Sequence, residues 1–269
     1  MEEKHTESLG VAAPVSSKKG ALIVNADDWG RSREVTDRTL DCVLARVVSS
    51  ASAMVFMEDS DRAAKIARDN GVDTGLHLNL TSPFTETGGN GQLREQQQKI
   101  TKFLRSSRLS PAIYNPGLAR AFDYVVRAQM DEYARLYGNS PRRIDGHHHM
   151  HLCANVQFQE LLPKGTIIRR NFSFLAGEKS LLNRLYRRWQ DRRLAKRHQI
   201  TDFFFSLPPM NAPGRLEGIF NLATESTVEL ETHPVNHDEF EFLMNDLLIL
   251  SARGSKIAAS YSVELAAIN

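Results

Sequence analysis

Short apolar runs alternate along the chain with segments of helical period. Residues 21–24, 52–56, 74–80, 142–145, 167–168, 202–207, 227–232 and 256–261 read as strands, the first of them buried. Between them lie the helical patterns. Ser32 is placed to cap a helix over 33–46, with Val35, Leu40, Val43 and Leu44 as its apolar stripe. A helix over 59–70 stops at Gly71, and one over 116–137 starts on Pro116 and stops at Gly138. Helices are also expected over 181–198 and 237–250, and a weaker helical signal covers 96–105. The stretch 83–93 holds Gly88, Gly89 and Gly91 and reads as a loop long enough for a lid. This strand–helix rhythm predicts an α/β protein with a parallel sheet and helices outside. About seven strands favour an irregular (β/α) barrel over a flat sheet. No internal repeat or linker divides the chain, so a polar tail over 1–20 and one domain over 21–269 are expected.

Composition changes this picture little. The chain has 269 residues, enough for a large core, and its net charge of +2 gives no ground for a nucleic-acid partner. The two cysteines, Cys42 and Cys153, read as reduced and buried. The first twenty residues lack the apolar core of a signal peptide, and no run of about 18 apolar residues is present. The cytoplasm is therefore the expected compartment.

The chemistry concentrates where strands end. Asp145-Gly146-His147-His148-His149-Met150-His151 puts four of nine histidines into one short stretch. Folding alone does not call for that; holding a divalent metal or moving protons near neutral pH does. An extended backbone would align His147, His149 and His151, whereas a helix would align His147 with His151. Asp27-Asp28 closes the first strand, where the plain reading is an acidic turn capping the next helix. The sharper reading gives one carboxylate to a metal and its neighbour to a proton. His77 lies in an apolar strand followed by Asn79 and Thr81, a setting that suits a structural histidine and a ligand equally. Two histidines with one carboxylate and an open position for water make a hydrolytic metal site, and this ligand set suits Zn2+. His233-Pro234 after a strand is either a turn or the seat of a general acid. His5 and His198 read as surface. The segment 181–198 carries Arg184, Arg187, Arg188, Arg192, Arg193, Lys196 and Arg197 against the single acid Asp191. A solvated face explains it; contact with an anionic membrane or an anionic, lipid-linked substrate is the alternative.

Taken together, the strand ending Asn25-Ala26-Asp27-Asp28-Trp29-Gly30, the Gly75-Leu76-His77-Leu78 strand, the Asp145–His151 run and the late His233-Pro234 resemble the YdjC-like carbohydrate deacetylases. That family includes chitooligosaccharide deacetylases and relatives linked to hopanoid biosynthesis. The resemblance implies an irregular α/β barrel that removes an N-acetyl group from an acetamido sugar. It implies one divalent ion, usually Mg2+, on Asp28, His77 and His147, with Asp27 as general base and His233 as candidate general acid. It leaves His148, His149 and His151 without roles. Trp29 stands where Phe is commoner, and 177–198 and the residues after Pro234 match poorly. The implied partner is an acetylated amino sugar, and a second copy of the chain is a further candidate. Two other functions compete. A phosphoesterase with two metals needs more carboxylate ligands than these, and a non-catalytic sugar-binding protein needs neither Asp27 nor His233.

Overall fold

The computed structural model describes residues 20–86, 90–174, 181–251 and 256–261. The expected tail therefore lies, apart from Gly20, outside the described residues, as do His5 and the tip of the expected lid. Seven strands make one sheet: β1 (Ala21–Trp29), β2 (Ser50–Ala53), β3 (Thr74–Leu78), β4 (Arg143–Gly146), β5 (Ile167–Ile168), β6 (Phe203–Ser206) and β7 (Thr227–Thr232). Their order is β5-β4-β3-β2-β1-β7-β6, and every pairing is parallel. The sheet curls into a half-barrel. Irregular backbone links its edges: the Ile168 amide donates to the Gln199 carbonyl (2.9 Å) and the Ser173 amide to the Phe204 carbonyl (2.7 Å). The result is the irregular (β/α) barrel that the rhythm predicts.

Helices cover the outside: α1 (Arg33–Leu44), α2 (Ser60–Asn70), α3 (Gly91–Leu104), α4 (Ala119–Tyr137), α5 (Ala154–Phe158), α6 (Leu181–Leu194), α7 (Arg215–Leu222), α8 (His237–Asn245) and α9 (Leu247–Ser251). The Ser32 hydroxyl accepts from the Val35 amide, and Gly71 and Gly138 close α2 and α4 in left-handed conformations. Several expectations are corrected. The buried face of α1 is Val35, Thr36, Thr39 and Cys42, while Leu44 is exposed. Helix α3 starts at Gly91, not near Gln96, because the Asn90 side chain accepts from the Gln92 and Leu93 amides. Its buried face includes Gln97, whose amide donates to the Ser82 carbonyl, so a polar residue hides the helical stripe. The stretch 256–261 is not a strand. Only Ile257 bridges Leu22, and Ala258 and Tyr261 plug one end of the barrel against Ala21, Ile23 and Ile167.

The strands alternate in a way that defines the protein. Leu22, Val24 and Ala26 of β1 and Val228 and Leu230 of β7 face outward into one apolar layer. Leu76, Leu78, Ile144 and Ile168 face outward into another. The intervening residues face the interior, and above Ala21 and Ile23 they are polar. Asn25, Asp27, Ser50, Ser52, His77, Arg143, Asp145, Arg169, Glu229 and Glu231 are all buried. Gly75 has no side chain for a steric reason: a Cβ there would lie 2.7 Å from Cζ of Arg143. Both cysteines are free and buried. Among the described residues, no helix is long and apolar enough to cross a membrane.

Candidate active site

An irregularity in β1 delivers the two aspartates. On a regular strand Asp27 and Asp28 would point to opposite faces. The β1–β2 register shifts between Ala26 and Trp29, and Asp28 is left-handed (φ 68°). This bulge turns its carboxylate back into the site; aspartate accepts such a conformation more readily than most residues. Asp28 Oδ1 lies 3.3 Å from His77 Nε2 and 3.0 Å from His147 Nδ1. Arg31 holds the other oxygen at 2.8 Å. Burial pushes Asp28 up, but His147 and His77 outweigh it and hold the carboxyl far below the usual range.

These spacings fit a shared cation. With metal–ligand bonds of about 2.1 Å, two ligands sit roughly 3.0 Å apart at the octahedral angle and roughly 3.4 Å apart at the tetrahedral one. Asp28 Oδ1 is buried with no hydrogen-bond partner. His77 Nδ1 is 2.6 Å from Asp145 Oδ1, a contact in which Nδ1–H donates to the carboxylate, and Nε2 is turned toward Asp28. Burial pulls His77 down, yet Asp27, Asp145 and Asp28 together raise it to about 10, so without a cation Nε2 also carries a proton, which a bound cation would displace. Behind the site five buried carboxylates, Asp27, Asp28, Asp145, Glu229 and Glu231, face two buried guanidiniums, Arg143 and Arg169. A divalent cation would offset two of the three surplus negative charges. Two other triads of ligand-type groups lie close together. In one, Asp27–His77–Asp145, the Asp145 carboxylate is already held by Arg143 and His77. In the other, Asp27–Glu231–His233, both Asp27 oxygens are already engaged.

Asp27 is held rather than free. Arg169 donates from Nη1 to Oδ2 and from Nη2 to Oδ1, both at 2.7 Å, and the Asn25 amide adds a bond of 2.8 Å. Burial raises Asp27, but Arg169 and His77 outweigh it and hold it at about 2. The carboxylate is ionised at neutral pH and fixed beside the Asp28–His77–His147 cluster, with Oδ2 3.9 Å from His77 Nε2.

The histidine run follows neither sequence-based geometry. It forms a tight turn (His147–Leu152) broken by left-handed His148 (φ 54°) and His149 (φ 58°). The four imidazoles consequently diverge. His147 joins Asp28. His148 bonds Thr81 Oγ1 at 2.9 Å, and burial and His147 lower it to about 4. His149 packs edge-on against Phe172 and approaches Glu231 Oε2 at 3.7 Å. His151 bonds the Arg169 carbonyl at 2.9 Å, and burial holds it neutral at about 4. His233 sits half-exposed at the end of β7, Nε2 3.7 Å from Glu231 Oε1. His198, expected at the surface, is half-buried behind α6.

The structure thus brings Asp27, Asp28, His77 and His147 together and sets His233 near them through Glu231. Sequence reasoning missed Arg169, Arg143 and Glu231. The signals were present: Arg169 directly follows the apolar Ile167-Ile168, and Glu229 and Glu231 alternate with apolar residues in β7. Burial and then Asp27 raise Glu231 well above the ordinary carboxylate range.

A family model described as YdjC-like protein matches residues 21–265. A chitooligosaccharide deacetylase of Proteus mirabilis is 29% identical over 155 residues, covering 53% of this chain and 52% of that protein. A human carbohydrate deacetylase is 28% identical over 146 residues, covering 53% and 44%. The chain thus spans about half the length of the curated relatives it matches. A crystal structure from Enterococcus faecalis, provisionally named a cellobiose-phosphate cleavage protein, superposes with a TM-score of 0.62 at 16% identity. It covers 91% of this chain and 98% of that one, which is a likeness of fold.

Proposed function

The chain belongs to the YdjC-like protein family, and from that premise we propose that it is a metal-dependent hydrolase removing the N-acetyl group of an acetamido sugar. The observation that carries this reading is the pairing of a three-donor cluster, Asp28–His77–His147, with a clamped carboxylate, Asp27, one residue away. Relatives named as chitooligosaccharide and carbohydrate deacetylases support the substrate class.

Asp28, His77 and His147 would hold one divalent ion, which Zn2+ suits by ligand type and Mg2+ by family likeness. When bound, such an ion supplies an acidified water and polarises the amide carbonyl. The chain's own residues do the rest. Asp27 accepts the proton of the attacking water, and Arg169 keeps both its oxygens in line. His77 is oriented by Asp145, and Asp145 by Arg143 and Ser52. His233, half-exposed at the mouth, donates a proton to the amine nitrogen as the C–N bond breaks. Proton transfers of this kind contribute roughly 10²–10⁴-fold each.

The test is acetate release from N-acetylglucosamine oligomers by the purified protein, with and without a chelator, beside phosphate release from a generic phosphate ester. Chelator-sensitive acetate release is expected. Phosphate release without acetate release would replace the reading with a phosphoesterase, and neither product with retained oligomer binding would make it a sugar-binding protein.

A further inference from the structure

Helix α6 is built inside out for an ordinary surface helix. Its exposed positions are Leu181, Leu185, Tyr186, Arg188, Trp189 and Arg192, all but Tyr186 at the spacing of one helical face, while Asp191 and Leu194 are buried. Leu181 is 73% exposed, Leu185 59% and Trp189 55%. The lone acid of the helix is consumed inside: Asp191 binds Arg170 through one oxygen and Asn171 through the other. The side chains of Arg184, Arg188, Arg192 and Lys196 make no ion pair or hydrogen bond among the described residues. Beside this face an apolar cavity of about 250 Å³ opens, walled by Pro111, Ala112, Leu152, Phe158, Tyr186 and Trp189. Eight of the twelve exposed large apolar side chains of the described residues fall on α6, on 109–114 and at Phe158. Arg193 lies over the Phe158 ring at 4.6 Å, and Tyr114 meets the same ring at 6.2 Å, so these segments form one continuous patch.

We propose that this patch docks the protein on an anionic lipid surface, with Leu181, Leu185 and Trp189 entering the headgroup boundary and Arg188, Arg192 and Lys196 meeting the lipid phosphates. Apolar patches of this extent mark interaction surfaces. Tryptophan and tyrosine beside arginine is the composition of helices that lie in a membrane interface. A second copy of the chain fits less well, because a two-fold contact would set the unpaired arginines of one α6 against those of the other. The proposal is independent of the deacetylase reading.

The test uses the full chain and two kinds of vesicle, neutral phosphatidylcholine alone and the same lipid mixed with phosphatidylglycerol. The chain has two tryptophans, and Trp29 is already buried. A blue shift of emission on adding anionic vesicles therefore reports Trp189. Co-sedimentation should be strong with anionic vesicles, weak with neutral ones, and weaker as salt rises. At roughly fivefold per charge near an anionic leaflet, R188E with R192E should lower the affinity at least about 25-fold. Both positions are exposed, and an unchanged melting temperature checks that the variant is folded. Absence of vesicle binding by the native chain at low salt, or equal binding by the charge-reversed variant, overturns the proposal. So does a concentration-dependent dimer that W189A dissolves, which would assign the patch to a second copy.

Discussion

Replacing Arg169 with lysine tests the reading of Asp27 more sharply than replacing Asp27 itself. Arg169 is buried and donates three short bonds, two to Asp27 and one from Nε to Glu229 Oε1 at 2.7 Å. It also lies 3.3 Å from Asp145 and stacks on Phe204. Lysine keeps the charge but has one compact ammonium on a shorter reach, so it cannot hold both Asp27 oxygens and Glu229 together. The loss is about two charge-assisted hydrogen bonds at roughly 1.5 kcal/mol each, or about 3 kcal/mol. Full removal of the charge would cost about 3–5 kcal/mol and risk the fold, because Asp27 and Glu229 would be left buried without their guanidinium partner. For a domain of this size 3 kcal/mol corresponds to a melting-temperature drop of about 6–12 °C.

Activity should suffer differently from stability. Asp27 would keep its ionisation but lose its fixed orientation. A fall in kcat of roughly 10- to 100-fold is expected, part of what a general base contributes, with KM almost unchanged. Metal content should not change, since Arg169 touches none of Asp28, His77 and His147. The assays are a thermal melt, steady-state acetate release and elemental analysis of the same preparation. A normal kcat in the lysine variant would refute the clamp. A kcat loss that tracks metal loss would show that Arg169 supports the cluster instead.

Four further outcomes are expected. Asp27→Asn should keep its metal and lose at least about 10²-fold in kcat, measured as acetate release beside elemental analysis; near-normal turnover would remove Asp27 as the base. His77→Ala or Asp28→Ala should bind no stoichiometric metal, and full occupancy in His77→Ala would show that the ligand set is wrong. The metal-free protein should gain about 2.7 kcal/mol from a cation at 100 times its Kd, or about 5–10 °C in a thermal melt, and His77→Ala should gain nothing. Burial pushes both thiols, Cys42 and Cys153, from about 9 up to about 12. A raised value stabilises the fold fully below pH 9 and less as pH climbs toward 12. Neither thiol should react with Ellman's reagent at pH 8 until the protein is unfolded, and then two equivalents should appear.

The ends of the strands were legible because chemistry there breaks the apolar pattern abruptly. Asp27-Asp28, His77 and the histidine run stand out against their neighbours, and the strands that carry them adopt the expected parallel order. The network behind them was hidden. A strand with one apolar face and one ionic face reads by periodicity as half-exposed, so Glu229 and Glu231 look like solvent positions although both are buried. Arg169 looked like the first residue of a loop. The histidine geometry was not readable either, because the left-handed turn at His148 and His149 carries no glycine to announce it. Helix α3 was underestimated for a related reason: its buried face contains a glutamine satisfied by a carbonyl that only the fold brings near.

The polar interior is a choice with a cost. A parallel barrel usually fills its centre with branched aliphatic side chains. Here Arg143 and Arg169 thread that space, and the residues around them are shaped to admit them, down to the missing side chain at Gly75. Replacing a buried ionic lattice with hydrocarbon often stabilises a protein, so stability does not account for this one. Orientation does. Each arginine reaches the candidate site through one intermediary, Arg169 through Asp27 and Arg143 through Asp145 to His77. Both guanidiniums are locked at their far ends as well, Arg169 by Glu229 and Arg143 by the Ala51 carbonyl and the Tyr261 ring. Asp27 and the His77 imidazole are thus fixed from within the barrel, on rigid strands, and are not left to the loops above. Neither buried guanidinium reaches Asp28, where the proposed cation would sit beside His77 and His147.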